Sequence, residues 1–255
     1  MSDKYPILEF DDTREAFIEP SKIIKPLGNM PERVVFCFFQ DSIKRLVDES
    51  QASIIHHLGS EIGKNPIYQY QNGSQSVAII HPGMGGPLAA GFLEEAIALG
   101  GRKFIACGGA GALDKRVTVG HVIVPESAIR DEGTSYHYLP PSREADAHPE
   151  AVKVIVKTLE KHSVPYDVGK TWTTDAIYRE TPKRIQQRRD EGALTVEMEA
   201  STFFAVAEFR DVMFGQLLYG GDDVSGDIWD SRGWHKETGI RDKLLTLAIE
   251  SVLEL

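Results

Sequence analysis

Two acidic clusters set in apolar sequence are the places where this chain can do chemistry. One is Thr195-Val196-Glu197-Met198-Glu199-Ala200, and the other is Leu217-Leu218-Tyr219-Gly220-Gly221-Asp222-Asp223. Carboxylates are rarely buried without a partner or a ligand. Glu197 and Glu199 at a strand-to-helix junction therefore invite a small polar molecule, and a sugar with adjacent hydroxyls satisfies them. Gly220 and Gly221 close an apolar run and let a ligand approach the backbone, while Asp222 supplies an acid or acceptor there. Each cluster also has a plainer reading. Glu199 is the kind of acid that a helix N-terminus favours, and Gly-Gly-Asp-Asp is good turn chemistry.

The elements that must hold these residues follow from periodicity. Short apolar runs over 34–39, 77–81, 104–107, 122–124 and 214–219 predict buried strands. Helical spacing covers 41–57, 87–99, 149–162, 182–191, 199–209 and 236–253, several of these starting at Pro or Asp, and Asn72-Gly73 predicts a hairpin turn. The pattern is α/β, with a central mixed, mostly parallel sheet flanked by helices in three layers. Ligands in such folds bind at the carboxyl ends of the strands, where both acidic clusters fall. Residues 1–33, with Pro20, Pro26 and Pro31, predict an extended N-terminal arm, and residues 34–255 a single domain.

Composition narrows the class of function. The chain has 255 residues, is 42% hydrophobic and carries a net charge of −10, enough chain for one full core. The charge argues against nucleic acid or an anionic membrane as partner, so an anionic cosubstrate needs a local basic pocket. Cys37 and Cys107 sit in apolar runs and read as reduced core residues. Residues 1–5 lack the apolar core of a signal peptide, and no run is long and apolar enough to span a bilayer; a cytoplasmic location is expected. Gly108-Gly109-Ala110-Gly111 and Gly83-Met84-Gly85 each miss the third glycine of a dinucleotide fingerprint. There is no metal-binding His/Cys pattern and no Gly-x-Ser-x-Gly elbow, so no metal or cofactor is expected.

Val196-Glu197-Met198-Glu199, with Asp222 downstream, Gly83-Met84-Gly85-Gly86-Pro87 after a strand and Thr173-Thr174-Asp175-Ala176-Ile177-Tyr178 before the helix, resembles the nucleoside phosphorylase family over roughly residues 34–250. This family holds purine nucleoside and uridine phosphorylases and related nucleosidases. The resemblance implies a nucleoside phosphorylase-like domain that cleaves an N-glycosidic bond with inorganic phosphate as cosubstrate, giving pentose 1-phosphate and free base. Glu199 is then the ligand of the ribose hydroxyls. Met84, Ile177, Val196, Glu197, Met198 and Gly221 line sugar and base, with Ile177 where relatives carry an aromatic. Asp222 is the catalytic acid toward the base, assisted by Arg232 or His235 from the following loop. The family assembles as dimers or hexamers, so a homo-oligomer is expected.

The phosphate site departs most from the family pattern. Gln40 and Lys44 stand where relatives have a glycine and an arginine, and Gly108 and Gly109 form the facing loop. Ala106 and Gly109 replace a second arginine and a serine or threonine. An arginine grips phosphate by a fork that alanine cannot replace. Either Lys44, His56 or His57 supplies the charge, or water replaces phosphate and the enzyme is a nucleosidase with Gln40 or Asp41 holding that water, or the chain only binds a nucleoside as a sensor. Base preference is open as well. Asp222 favours purine, Thr181 and Lys183 do not match the uracil-gripping pair of uridine phosphorylases, and the segment 131–138, with His137, resembles uridine phosphorylases.

Overall fold

The strand Arg33–Cys37 is where the layers are decided. Successive side chains on a strand point to opposite faces; Val34 and Phe36 enter one hydrophobic cluster, Val35 and Cys37 the other. In the computed structural model, which describes residues 5–50 and 52–255, the element order is α1 (Pro20–Ile23), β1 (Arg33–Cys37), α2 (Gln40–Ser50), β2 (Ser53–Ser60), β3 (Gly63–Asn72), β4 (Gln75–Ile80), α3 (Gly86–Leu99), β5 (Lys103–Ala112), β6 (Val122–Asp131), β7 (Glu144–Asp146), α4 (Pro149–Lys161), β8 (Tyr166–Thr174), α5 (Pro182–Asp190), β9 (Ala193–Glu197), α6 (Ala200–Arg210), β10 (Met213–Asp223) and α7 (Thr238–Leu253).

Strands β10, β5, β1 and β4 run parallel, side by side. Beyond β4 the hairpin strands β3 and β2 extend the sheet antiparallel. On the other side the sheet curls. β10 pairs antiparallel with β6, β6 parallel with β8, β8 parallel with β9, and β9 returns antiparallel onto β5. Five strands thus close a ring at one end of the mixed sheet, and the parallel character is concentrated in its centre. Helices α3 and α6 cover one face through Phe92, Leu93, Phe203 and Phe204; α4 and α7 cover the other through Ile155, Leu159, Leu244 and Leu245. Phe214 of β10 stacks on Phe203 with ring centroids 4.7 Å apart and lies 5.9 Å from Phe104. Burying each such side chain contributes about 1.5–3 kcal/mol.

The expected helix over 41–57 is corrected. Helix α2 ends at Ser50, and 53–60 is a strand, because Ile54 and Ile55 are β-branched and the segment pairs with β3. Gln51, inside that expected helix, lies outside the described residues, as do residues 1–4 of the expected arm. Strands β5, β6 and β10 run well past their apolar runs, so the glycines at 108–111 and 220–221 lie within strands and not in loops after them. The arm is tied down at Glu19, whose carboxylate is 3.0 Å from Arg210; Arg210 also meets Glu94 at 2.7 Å.

One irregularity matters for the site. The register of β10 on β5 slips between Gly220 and Asp223, which pair with Ala110 and Ala112. Gly221 and Asp222 together face the single residue Gly111. Such a bulge re-aims a side chain out of the ladder, and here it delivers Asp222 to the end of the strand.

Candidate active site

A cavity of about 740 Å³ opens at the carboxyl ends of β1, β4, β5 and β10. Its floor is the junction of β9 and α6. Glu197 ends the strand and turns inward. Its Oε1 accepts from the Thr173 hydroxyl at 2.6 Å, and its Oε2 accepts from the backbone N–H groups of Glu199 and Ala200 at 2.7 and 2.6 Å. The Glu197 side chain therefore caps α6, neutralising donors that a helix start leaves unpaired. Glu199 faces the cavity, and the Gly85 N–H donates to its Oε1 at 2.6 Å. Gly85 has φ of +80°, which a side chain would resist, and that conformation aims its N–H at the carboxyl. Burial pushes both glutamates above the ordinary carboxylate range, and the charge of Glu197 adds to the push on Glu199. Glu199 is thus a carboxyl that gains from ligand hydroxyls able to donate to it.

At one end of the cavity Asp222 lies beside Gly111, where a Cβ would stand 2.9 Å from Val196 and 3.6 Å from Asp222 Oδ1. Asp222 Oδ2 accepts from the indole N–H of Trp229 at 2.7 Å. Ile177 and Glu180 complete this wall. Burial, and then the charge of Asp222, push the Glu180 carboxyl up to about 7.

The other end is built around Arg241 of α7. Its guanidinium lies over the rings of Phe39 and Trp234, 5.5 and 5.2 Å from their centroids, and donates to the Tyr219 hydroxyl at 3.4 Å and to Asp41 at 3.5 Å. These hydrogen bonds are long, so the ring contacts do most of the positioning. Helix α7 is held in register by Arg45, which grips Asp242 through Nε and Nη2 at 2.6–3.1 Å and also reaches Asp41. The Tyr219 ring would lie 3.2 Å from a Cβ at Gly109, and the Phe38 ring 3.0 Å from one at Gly108. The two glycines let these rings close on the strand. Gln216, buried in the same lining, has an Oε1 with no hydrogen-bond partner. Aromatic-flanked guanidinium, amide and glycine backbone form a cradle for an anion.

The structure gathers Gln40, Met84, Gly108, Gly109, Ile177 and Val196 around this cavity, together with Glu197, Met198, Glu199, Gly221 and Asp222. Two expected residues stay out. Lys44 is exposed on α2 and outside the cavity lining, since the α2 face that meets the body of the protein carries Ile43, Leu46 and Val47. Arg232 pairs with Asp223 and donates to the Val117 carbonyl at 2.8 Å, which holds the loop after β10 and leaves Asp222 to Trp229. His56, His57 and His137 are exposed and outside the lining. Sequence reasoning misses His81, Glu180, Gln216 and Arg241. Gln216 carries a readable signal, a lone amide in the apolar run 214–219; Arg241 carries none, being one charge among several at a helix start. Among the described residues no group of three His, Cys, Asp or Glu is placed to hold a metal, and no helix is long and apolar enough to cross a membrane.

Comparison with known proteins adds the lineage. Residues 32–238 match the phosphorylase superfamily. A guanosine phosphorylase of Halorubrum lacusprofundi is 30% identical over 191 residues, 73% of this chain and 76% of the relative. A uridine phosphorylase of Haemophilus influenzae is 28% identical over 162 residues, 58% of this chain and 64% of the relative. The AMP nucleosidase of Bacteroides thetaiotaomicron superposes with a TM-score of 0.73, covering 89% of this chain and 90% of that one at 21% identity, a likeness of fold.

Proposed function

Because this chain belongs to the phosphorylase superfamily, we propose that it is a nucleoside phosphorylase, cleaving an N-glycosidic bond with inorganic phosphate to give pentose 1-phosphate and free base. The observation that carries the choice of phosphate is Arg241, a sheltered cation in the same cavity as Glu199. It supplies the fork that Ala106 and the outward-facing Lys44 do not. Hydrolysis would need no such cation, so the geometry favours phosphorolysis over water attack.

The reaction follows from the arrangement. Glu199 accepts from the ribose hydroxyls, with Met84 and Met198 against the sugar and Ile177 and Val196 against the base. Phosphate sits on Arg241, Gln216 and the backbone at Gly108 and Gly109, and an oxygen of it attacks C1′ as the bond to the base lengthens. Positive charge develops on the sugar between phosphate and Glu199, and fixed groups aimed at that charge lower the barrier without reorganising. The base departs toward Asp222 and Glu180. Met84, 73% exposed, and Trp229, 62% exposed, stand at the mouth, and these apolar surfaces support a homo-oligomer in which a second copy covers the site.

The names of the relatives put both purine and pyrimidine nucleosides in the test. Base release is followed across that panel as phosphate is raised from zero. The proposal expects release that saturates with phosphate; release at full rate without phosphate overturns it in favour of a nucleosidase, and binding without release in favour of a sensor.

A further inference from the structure

Resting on the phosphorolysis reading above, we propose that Glu180, and not Asp222, is the acid that gives its proton to the departing base, with Asp222 as the fixed acceptor beside it. The backbone holds Glu180 between two turns. It closes the short 3-10 turn Ile177–Arg179, and the next residues start α5, where the Thr181 hydroxyl accepts from the Arg184 N–H and Pro182 presets the first turn. The side chain is half-buried and lines the cavity together with Ile177 and Val196. Its carboxyl has no hydrogen-bond partner among the described residues. The cations nearby in sequence are used elsewhere or point to solvent. Arg184 and Arg188 bind Asp131 at 3.3 and 2.9 Å, Arg189 donates to the Ser225 carbonyl, and Arg179 and Lys183 are exposed. On this wall the charged group that acts on Glu180 is Asp222. Arg241 and Asp41 belong to the anion end, and Glu197 and Glu199 to the floor.

Two carboxyls sharing a partly desolvated wall without a cation do not both ionise readily, and one keeps a proton. The hydrogen bonds decide which. An indole N–H only donates, so the Asp222 Oδ2 that Trp229 meets is an acceptor and is already engaged. Glu180 receives no such bond, and its O–H is free to turn to the base. Its carboxyl is pushed up to about 7 by burial and by Asp222, which suits an acid working near neutral pH. In the step itself the C1′–N bond breaks with its electron pair going to the base, a phosphate oxygen bonds to C1′, and the O–H of Glu180 passes its proton to the base. The carboxylate left behind recovers a proton from solvent, where the phosphate proton is released as the ester ionises.

The test compares Glu180→Gln with the wild-type protein on whichever natural nucleoside turns over best and on 4-nitrophenyl β-D-riboside, whose phenolate leaves without a proton. Glu180→Gln is expected to lower kcat on the nucleoside on the order of 10²- to 10⁴-fold and on the aryl riboside by only a few-fold. The loss of kcat as pH rises through about 7 is expected in wild type and absent in the variant. Equal losses on both substrates, or a variant that keeps the alkaline limb, overturns the assignment while the phosphorolysis reading stands. A wild type inert on both substrates overturns both.

Discussion

On the proposed phosphorolysis, replacing Arg241 by alanine removes the one lysine or arginine that lines the cavity among the described residues, and the size of the effect follows from its present bonds. The guanidinium makes hydrogen bonds of 3.4 and 3.5 Å to Tyr219 and Asp41, beyond the ordinary range for N–H···O, so little is given up when phosphate takes the fork. Two charge-assisted hydrogen bonds at about 1.5–3 kcal/mol each set an upper range, and water in the open cavity together with the remaining donors brings the loss to the low end, about 3 kcal/mol. At about 1.4 kcal/mol per tenfold, Arg241→Ala is expected to raise the KM for phosphate roughly 100-fold and the nucleoside KM by no more than a few-fold. Arg241→Lys keeps the charge but loses the fork and the stacking over Phe39 and Trp234, so it falls between the two. The assay is initial-rate base release with each substrate varied in turn. Circular dichroism confirms folding, which Arg45 and Asp242 secure independently. A phosphate KM unchanged in Arg241→Ala, or a nucleoside KM that rises as much as the phosphate KM, refutes the reasoning.

Other expectations follow from the same geometry. Lys44→Ala leaves the phosphate KM unchanged, because Lys44 faces solvent; a rise of tenfold or more would place it in the site. Glu199→Gln weakens hydroxyl recognition by about 1.5–3 kcal/mol, seen as a fall in kcat/KM that is large for ribonucleosides and small for 2′,3′-dideoxynucleosides; equal falls on both would remove Glu199 from the sugar. For Glu180 the folded carboxyl is raised to about 7 above its unfolded value. The native state therefore holds the proton more tightly, and the stability this supplies is complete below the ordinary glutamate range and lost as pH rises through about 7. Glu197 and Glu199 act in the same direction. Denaturant midpoints should thus fall more steeply with pH in wild type than in Glu180→Gln, and parallel slopes would contradict the shift. Phe214→Ala, which opens the stack with Phe203 and Phe104, costs about 3–5 kcal/mol by chemical denaturation.

The floor of the site is legible in the sequence because its chemistry is local. Glu197 and Glu199 stand two residues apart at the point where a strand pattern becomes a helix pattern, and both reach the cavity lining. Their division of labour is not legible, since only the Thr173 hydroxyl and the helix N–H groups show that the Glu197 side chain is spent on capping. The bulge at Gly221 and Asp222 is hinted at by paired glycines after an apolar run, but its register depends on β5, more than a hundred residues earlier. The ring closed by β9 on β5 is invisible to periodicity, because a strand pattern carries no record of its partner. Arg241 is the clearest loss. It lies beyond residue 238, where the family match ends, and its meaning comes from Phe39, Trp234 and Tyr219, brought together only by the docking of α7. Lys44 and Arg232 fail for the opposite reason: spacing puts them near the right elements, and side-chain direction takes them away.

The most direct test of the central claim is the fate of phosphate itself, read by ³¹P NMR as the enzyme consumes a nucleoside in phosphate buffer. Phosphorolysis through the Arg241 cradle requires a phosphomonoester resonance that grows in step with free base. Free base accompanied by free pentose, with the inorganic phosphate signal undiminished, would contradict it.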